Sequence, residues 1–161
     1  MKPFDQLKNF LIKHDVSYKE FHHDPVRTSE EAAALRPDYT LSQGAKALII
    51  EAKFSHGETK FVMFVLPADK RIDSKKVKKI LACKSISFAS EADVIKITGG
   101  VQPGGIPPFG NLFHLSLYVD PLLGKNDEIV FNAGDKSISI AMKFEDYKEA
   151  VRPISVSFIK N

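Results

Sequence analysis

The chain has a single cysteine, Cys83, in 161 residues. No internal disulfide can form and no cysteine cluster can hold a metal. Within KKILACKSISF that thiol is expected to serve as a small buried hydrophobe. Long hydrophobic runs are also missing. FVMFVLP, at 61–67, is among the longest, far short of the roughly 20 residues that cross a bilayer. The opening MKPFDQLKNF mixes charge into its first turns, unlike a secretory leader, so a cytoplasmic protein with no membrane partner is expected. The net charge is only +3, which does not by itself mark a nucleic-acid binder. The familiar catalytic signatures are absent as well: HExxH, CxxC and GxxxxGK[ST] do not occur. Ser116 and Ser139 lack any GxSxG context, so no serine nucleophile is signalled. No GxGxxG follows a first strand and no regular βαβ alternation appears, which argues against a doubly wound nucleotide-binding fold.

What is present fits one globular domain over residues 1–161, with 43% hydrophobic and 27% charged residues. Phe4, Leu7, Phe10 and Leu11 recur at helical spacing, and 16–23 alternates like a strand until Asp24-Pro25 breaks it. Thr28 or Ser29 can cap a helix over EEAAALR. Residues 45–54 and 60–67 read as a hairpin around SHGET. After Asp73, a plausible N-cap, comes an amphipathic helix, then the short strand SISFA and a helix capped by Ser90. Residues 114–120 read as a strand ended by Pro121. A second hairpin is expected over 128–142 around Gly134-Asp135, followed by a helix at FEDYKEAV and a last strand at ISVSFI. Paired strands with irregularly placed helices predict an α/β (α+β) protein. Its sheet is expected to be mixed and mostly antiparallel, curved toward a barrel, with peripheral helices.

Several segments are candidates for chemistry. TGGVQPGGIPPFG, at 98–110, concentrates glycine and proline as no other stretch does. Gly104 and Gly105 allow backbone N–H groups to approach a ligand without a Cβ in the way. Pro107 and Pro108 fix the loop's shape. Such a backbone can donate to a developing oxyanion, or it can be a structural turn at a sheet crossing. Lys46 opens an otherwise apolar strand. Either it snorkels outward or it points inward and requires an anion. FNAGD, at 131–135, offers the amide of Asn132 beside the small Ala133 and Gly134, or is only a hairpin turn. His22 and His23 are adjacent on a strand, so their rings should diverge and a metal site is not expected. His114 can face either site or core. DKRIDSKKVKK, at 69–79, holds six Lys or Arg against two Asp; it is a solvated helix face or a patch that guides a polyanion.

Taken in order, a lysine opening a strand, GGIPPFG with LYVD soon after, and VFNAG resemble the YbaK/proline-tRNA-synthetase-associated editing-domain family. HDPVRTSEEAA upstream adds to the match, which covers nearly the whole chain. The resemblance implies a trans-editing deacylase that hydrolyses the ester between a wrong amino acid and the terminal adenosine of a tRNA, using no metal or organic cofactor. It implies that Lys46 anchors the terminal nucleotide and that Gly104 and Pro108 are the first glycine and the proline of a GxxxP pattern. It places Asn132 on the aminoacyl pocket; Gly105, Ala133, Gly134 and His22 are further expected substrate-binding residues, and Lys75, Lys76 and Lys79 are candidates for a tRNA-binding rim. An aminoacyl-tRNA synthetase is a possible partner. With no general base in view, catalysis is expected to be substrate-assisted, by the neighbouring ribose hydroxyl or a water that it orients. Ala47 stands where Thr or Asn is common, and Asp135 and Ser139 depart from relatives. The amino acid is therefore open among Ala, Ser, Thr and Cys, on a tRNA such as tRNA-Pro. A non-catalytic module that binds a tRNA end or a synthetase is the alternative, and a small-ester hydrolase a further one.

Overall fold

The computed structural model describes residues 1–25, 28–34 and 36–161. Val26 and Arg27 of the upstream motif, and Leu35 of the expected second helix, lie outside the described residues.

The chain opens with α1 (Pro3–Lys13), where proline takes a first-turn position and Leu7 and Leu11, one helical turn apart, are buried. Strand β1 (Tyr18–His22) follows, then the short α2 (Ser29–Ala34), at whose start the Glu31 N–H donates to Thr28 Oγ1 at 3.1 Å. Strands β2 (Ala45–Lys53) and β3 (Thr59–Pro67) form the first hairpin, in register from Ala45 opposite Pro67 to Lys53 opposite Thr59. Helix α3 (Ser74–Leu81) is capped by Asp73, whose carboxylate accepts from the N–H groups of Lys75 and Lys76. Strand β4 (Ser85–Phe88) precedes α4 (Glu91–Thr98), capped by Ser90. Then come β5 (Leu117–Val119), β6 (Glu128–Asn132), β7 (Ile138–Lys143), α5 (Phe144–Val151) and β8 (Ile154–Ser155).

The strands form two sheets. One is antiparallel, in the order β1-β7-β6. The other has the order β4-β2-β3-β5-β8, antiparallel on the β4 side and parallel from β3 to β8. The mixed, mostly antiparallel sheet expected from the sequence is present, but divided, and neither sheet is closed, so the barrel is not formed. The reason lies in the joint. Between β2 and β6 the ladder reduces to one parallel bridge, Gly44 with Val130, and does not continue. The final strand is also shorter than ISVSFI suggested, because only two residues pair with β5.

Alternation along the strands sorts side chains into two cores. Ala45, Ala47 and Ile49 of β2 join Ile129 and Phe131 of β6 and Ile140 and Met142 of β7 in the larger core, closed by α1 and α5. The opposite face of the five-stranded sheet packs Ile50, Phe64 and Leu66 against Val77 of α3 and Phe158. Asp120, the last residue of LYVD, ties these layers together. Its buried carboxylate accepts from the N–H groups of Leu122 and Phe158, both at 2.9 Å. Cys83 is half-buried rather than enclosed.

Candidate active site

A cleft of about 340 Å³ opens where the two sheets meet. Consecutive residues at the strand ends form its walls: Ala45, Lys46, Ala47 and Leu48 at the start of β2, and Val130, Phe131 and Asn132 at the end of β6. The start of β2 approaches closely here because Gly44 has no side chain. A Cβ at that position would stand 2.9 Å from Ala68 Cβ and 3.1 Å from the Leu41 carbonyl oxygen. The turn Pro103–Gly105 supplies the third wall, and Thr28 and Arg36 flank α2 at the fourth.

Lys46, Gly104 and Asn132 therefore line one cleft, as the sequence reading required. Lys46 is half-buried, and its Nζ donates to the Lys70 carbonyl at 3.0 Å. Burial, and secondarily the charge of Arg71, hold its pKa below the usual lysine value, while Glu30 and Asp69 pull the other way. No carboxylate, imidazole or thiol is among the described residues of the cleft wall.

The Gly/Pro loop and the NAG turn are one unit. Asn132 Nδ2 donates to the Gly104 carbonyl at 2.7 Å, and the Gly134 N–H donates to the Gly105 carbonyl at 2.9 Å. Asn132 Oδ1 is buried without a hydrogen-bond partner among the described residues. Behind the loop, the buried Tyr147 hydroxyl donates to the Pro108 carbonyl at 2.6 Å. Burial raises the pKa of that phenol far above its usual value. The Phe109 ring packs edge-on against Tyr147. At the other end Thr98 closes α4, accepting from the Val101 N–H while Gly99 and Gly100 adopt φ values of 75° and 119°.

The remaining expected site residues do not line the cleft. The Gly105 N–H already donates to the Gln102 carbonyl at 2.8 Å, so the expected pair of free glycine donors reduces to Gly104. Pro108 and Ala133 are buried behind the wall, and Gly134 serves the turn, with φ of 89°. His22 is exposed and paired with Glu20 Oε2 at 2.6 Å, whereas His23 turns the other way to Ser139 Oγ at 2.7 Å. The two rings diverge, as strand alternation demands. Lys75 and Lys79 are exposed on α3, and Lys76 donates to the Ile159 carbonyl at 2.9 Å. His114 is exposed at the end of a 3₁₀ turn, with φ of 58°. Of the departures noted in the sequence, Ala47 lines the cleft, Ser139 is buried beside it, and exposed Asp135 caps the turn by accepting from Ser137.

Two contributors escaped the sequence reading. Gly44 sits in GAKALII, where a glycine ahead of a strand was a usable signal of close approach. Arg36 is 9% exposed, and only the fold brings it to the cleft.

Residues 23–150 match the model of a family described as the aminoacyl-tRNA editing domain. This chain belongs to that family. Editing is hydrolysis of a wrongly formed aminoacyl ester, and the chain is an aminoacyl-tRNA deacylase. It is 35% identical over 154 residues to the multifunctional Ser/Thr-tRNA deacylase ProXp-y of Escherichia coli, covering 95% of this chain and 90% of that one. It is 30% identical over 102 residues to a proline–tRNA ligase of Bacillus licheniformis, of which the match spans 17%. Among solved structures, one provisionally designated a trans-editing enzyme for prolyl tRNA synthetase superposes with a TM-score of 0.81. At 18% identity over 100% of this chain and 99% of that one, it speaks for the fold. No helix among the described residues is long and apolar enough to cross a membrane.

Proposed function

We propose that the editing domain over residues 1–161 takes the aminoacylated 3′ end of a tRNA into this cleft and removes a small amino acid, with serine and threonine as the first candidates. The observation that carries the reading is the joining of Lys46, Gly104 and Asn132 in one cleft whose described wall carries no acid. Lys46 binds a phosphate of the terminal nucleotide, since a half-buried ammonium is best matched by an anion. Gly104 lies against the ester. Asn132 acts chiefly by holding Gly104, and it shapes the pocket for the side chain. With no acid–base side chain on the described wall, proton transfer is assigned to the substrate's own ribose hydroxyl or to a water oriented by it, and the protein supplies positioning.

The likeness to a Ser/Thr-tRNA deacylase favours hydroxylated side chains over alanine and cysteine. Likeness to a segment of a proline–tRNA ligase supports tRNA-Pro as one carrier and an aminoacyl-tRNA synthetase as a partner. Exposed Lys75 and Lys79, with Lys76, form an outer rim that attracts the acceptor stem rather than a wall of the site.

The test is a panel of Ser-, Thr-, Ala- and Cys-charged tRNAs, with ester loss followed for the wild type and for Lys46→Ala. Wild-type cleavage of Ser- and Thr-tRNA that collapses in Lys46→Ala supports the proposal. Equal, slow ester loss in both proteins would leave only a binding module. Cleavage of free aminoacyl esters as fast as the tRNA forms would assign a small-ester hydrolase instead.

A further inference from the structure

Arg36 is a charged side chain, 9% exposed, on the wall of the cleft. Its Nη1 donates to Ser139 Oγ at 3.3 Å, and Ser139 is fully buried. Ser139 Oγ lies 2.7 Å from His23 Nε2, and His23 Nδ1 lies 2.8 Å from the Asp24 carbonyl oxygen. For a neutral imidazole these contacts set the direction of every bond. A carbonyl only accepts, so His23 Nδ1 carries the proton; in the neutral ring Nε2 then accepts from the Ser139 hydroxyl. Ser139 Oγ, having given its hydrogen to His23, accepts from the guanidinium. The chain runs Arg36 to Ser139 to His23 to the Asp24 carbonyl, each group donating to the next. Strand pairing holds it in place, because β7 sets Ser139 opposite Asn132 on one side and Phe21 on the other.

The cleft has a matching need. Ester hydrolysis develops negative charge on the carbonyl oxygen, which requires placed donors. The loop that was expected to supply two N–H groups has committed one, Gly105, to Gln102. Lys46, resting on the Lys70 carbonyl, is assigned to phosphate.

We infer that Arg36 is the side-chain donor to the ester oxygen as it becomes an oxyanion, and that Ser139 and His23 are the positioning residues that aim it. The inference rests on the deacylase reading and adds a charged group to the reaction itself. The guanidinium enters as a fixed cation, so no proton leaves it during the step. The attacking oxygen bonds to the carbonyl carbon, the carbonyl electron pair moves onto oxygen beside Arg36, and its return expels the ribose oxygen. That oxygen takes up the proton lost by the attacking group.

The test uses the full chain and Ser-tRNA, with wild type and Lys46→Ala measured alongside. Arg36→Ala is expected to lower kcat by about 10²-fold, the effect of losing one oxyanion donor, while KM moves by less than about threefold. Added guanidinium ion should restore part of the rate in Arg36→Ala but none in Lys46→Ala. Ser139→Ala and His23→Gln should lower kcat with the same unchanged KM. Arg36→Lys keeps the charge and loses the planar fork, so it should remain well below wild type even if Arg36→Ala folds poorly. An unchanged kcat in Arg36→Ala, or a loss confined to KM, overturns the assignment while an active wild type and a dead Lys46→Ala leave the deacylase intact. An inactive wild type would overturn both.

Discussion

Asn132 Nδ2 donates to the Gly104 carbonyl at 2.7 Å, across 28 residues of sequence. That bond, with the parallel one from Gly134 to Gly105, turns two glycine-rich segments into a single rigid wall. It also changes what Asn132 is for. One of its two N–H donors is used within the protein, and its acceptor Oδ1 is buried without a partner among the described residues.

Asn132→Ala should loosen the wall without dismantling the fold. A net hydrogen bond contributes about 1 kcal/mol, so kcat is expected to fall about fivefold to tenfold on every substrate. Asn132→Asp sets a carboxylate against the Gly104 carbonyl and should be slower still. Steady-state kinetics on Ser- and Ala-tRNA check this. A change confined to one substrate would make Asn132 a selector instead.

Lys46 gives opposite signs for activity and stability. Its pKa is held below the usual value, by burial first. As pH rises through that lowered value, the folded protein releases the proton while the unfolded chain still holds it. The unfolded state then binds more protons, so this group's contribution to stability rises with pH. Activity moves the other way, because the neutral amine no longer binds phosphate. kcat/KM should decline on the alkaline side before ordinary lysines titrate, and Lys46→Arg should move that decline to higher pH.

Gly104 and Gly44 should respond differently to alanine. A Cβ on Gly104 would meet Lys136 Cε at 3.2 Å, and Cε is the far end of a flexible side chain. Gly104→Ala should fold nearly as well as wild type while losing activity, and Lys136→Ala in the same chain should relieve the crowding. A Cβ on Gly44 would stand 2.9 Å from Ala68 Cβ, with backbone close behind. Gly44→Ala is expected to cost about 1–3 kcal/mol, the usual range for overpacking. Thermal unfolding of the three variants separates these outcomes.

Tyr147→Phe removes the hydroxyl that serves the Pro108 carbonyl. Leaving that buried acceptor unserved should cost about 1–3 kcal/mol. For a chain of this size the melting temperature should fall by about 2–4 °C per kcal/mol. An unchanged melting temperature would mean that the loop is held by Phe109 packing alone.

The elements were largely legible in the sequence because their signals are local. Asp73 and Ser90 cap the helices they were expected to cap, and the apolar stretches 45–54 and 60–67 flanking SHGET form a real hairpin. The barrel was not legible, since strand alternation does not reveal that β3, β5 and β8 pair in parallel or that the β2–β6 joint stops at one bridge. That His22 does not line the cleft was hidden for a related reason. The period of two told that His22 and His23 diverge, but not which of them faces inward.

The sequence by itself determined the residues that local rules govern: Lys46 at the head of an apolar strand, a loop rich in glycine and proline, and the NAG turn. Their order, with LYVD and the upstream HDPVRTSEEAA, carried the resemblance to an editing domain. Only the tertiary structure decided how these donors are used. The Gly105 N–H donates to Gln102, one N–H of the Asn132 amide donates to Gly104, and Arg36, which lines the cleft, donates to a serine 103 residues away. The physical reason is that each hydrogen bond uses a group the sequence displays as available, and its partner is chosen by long-range packing.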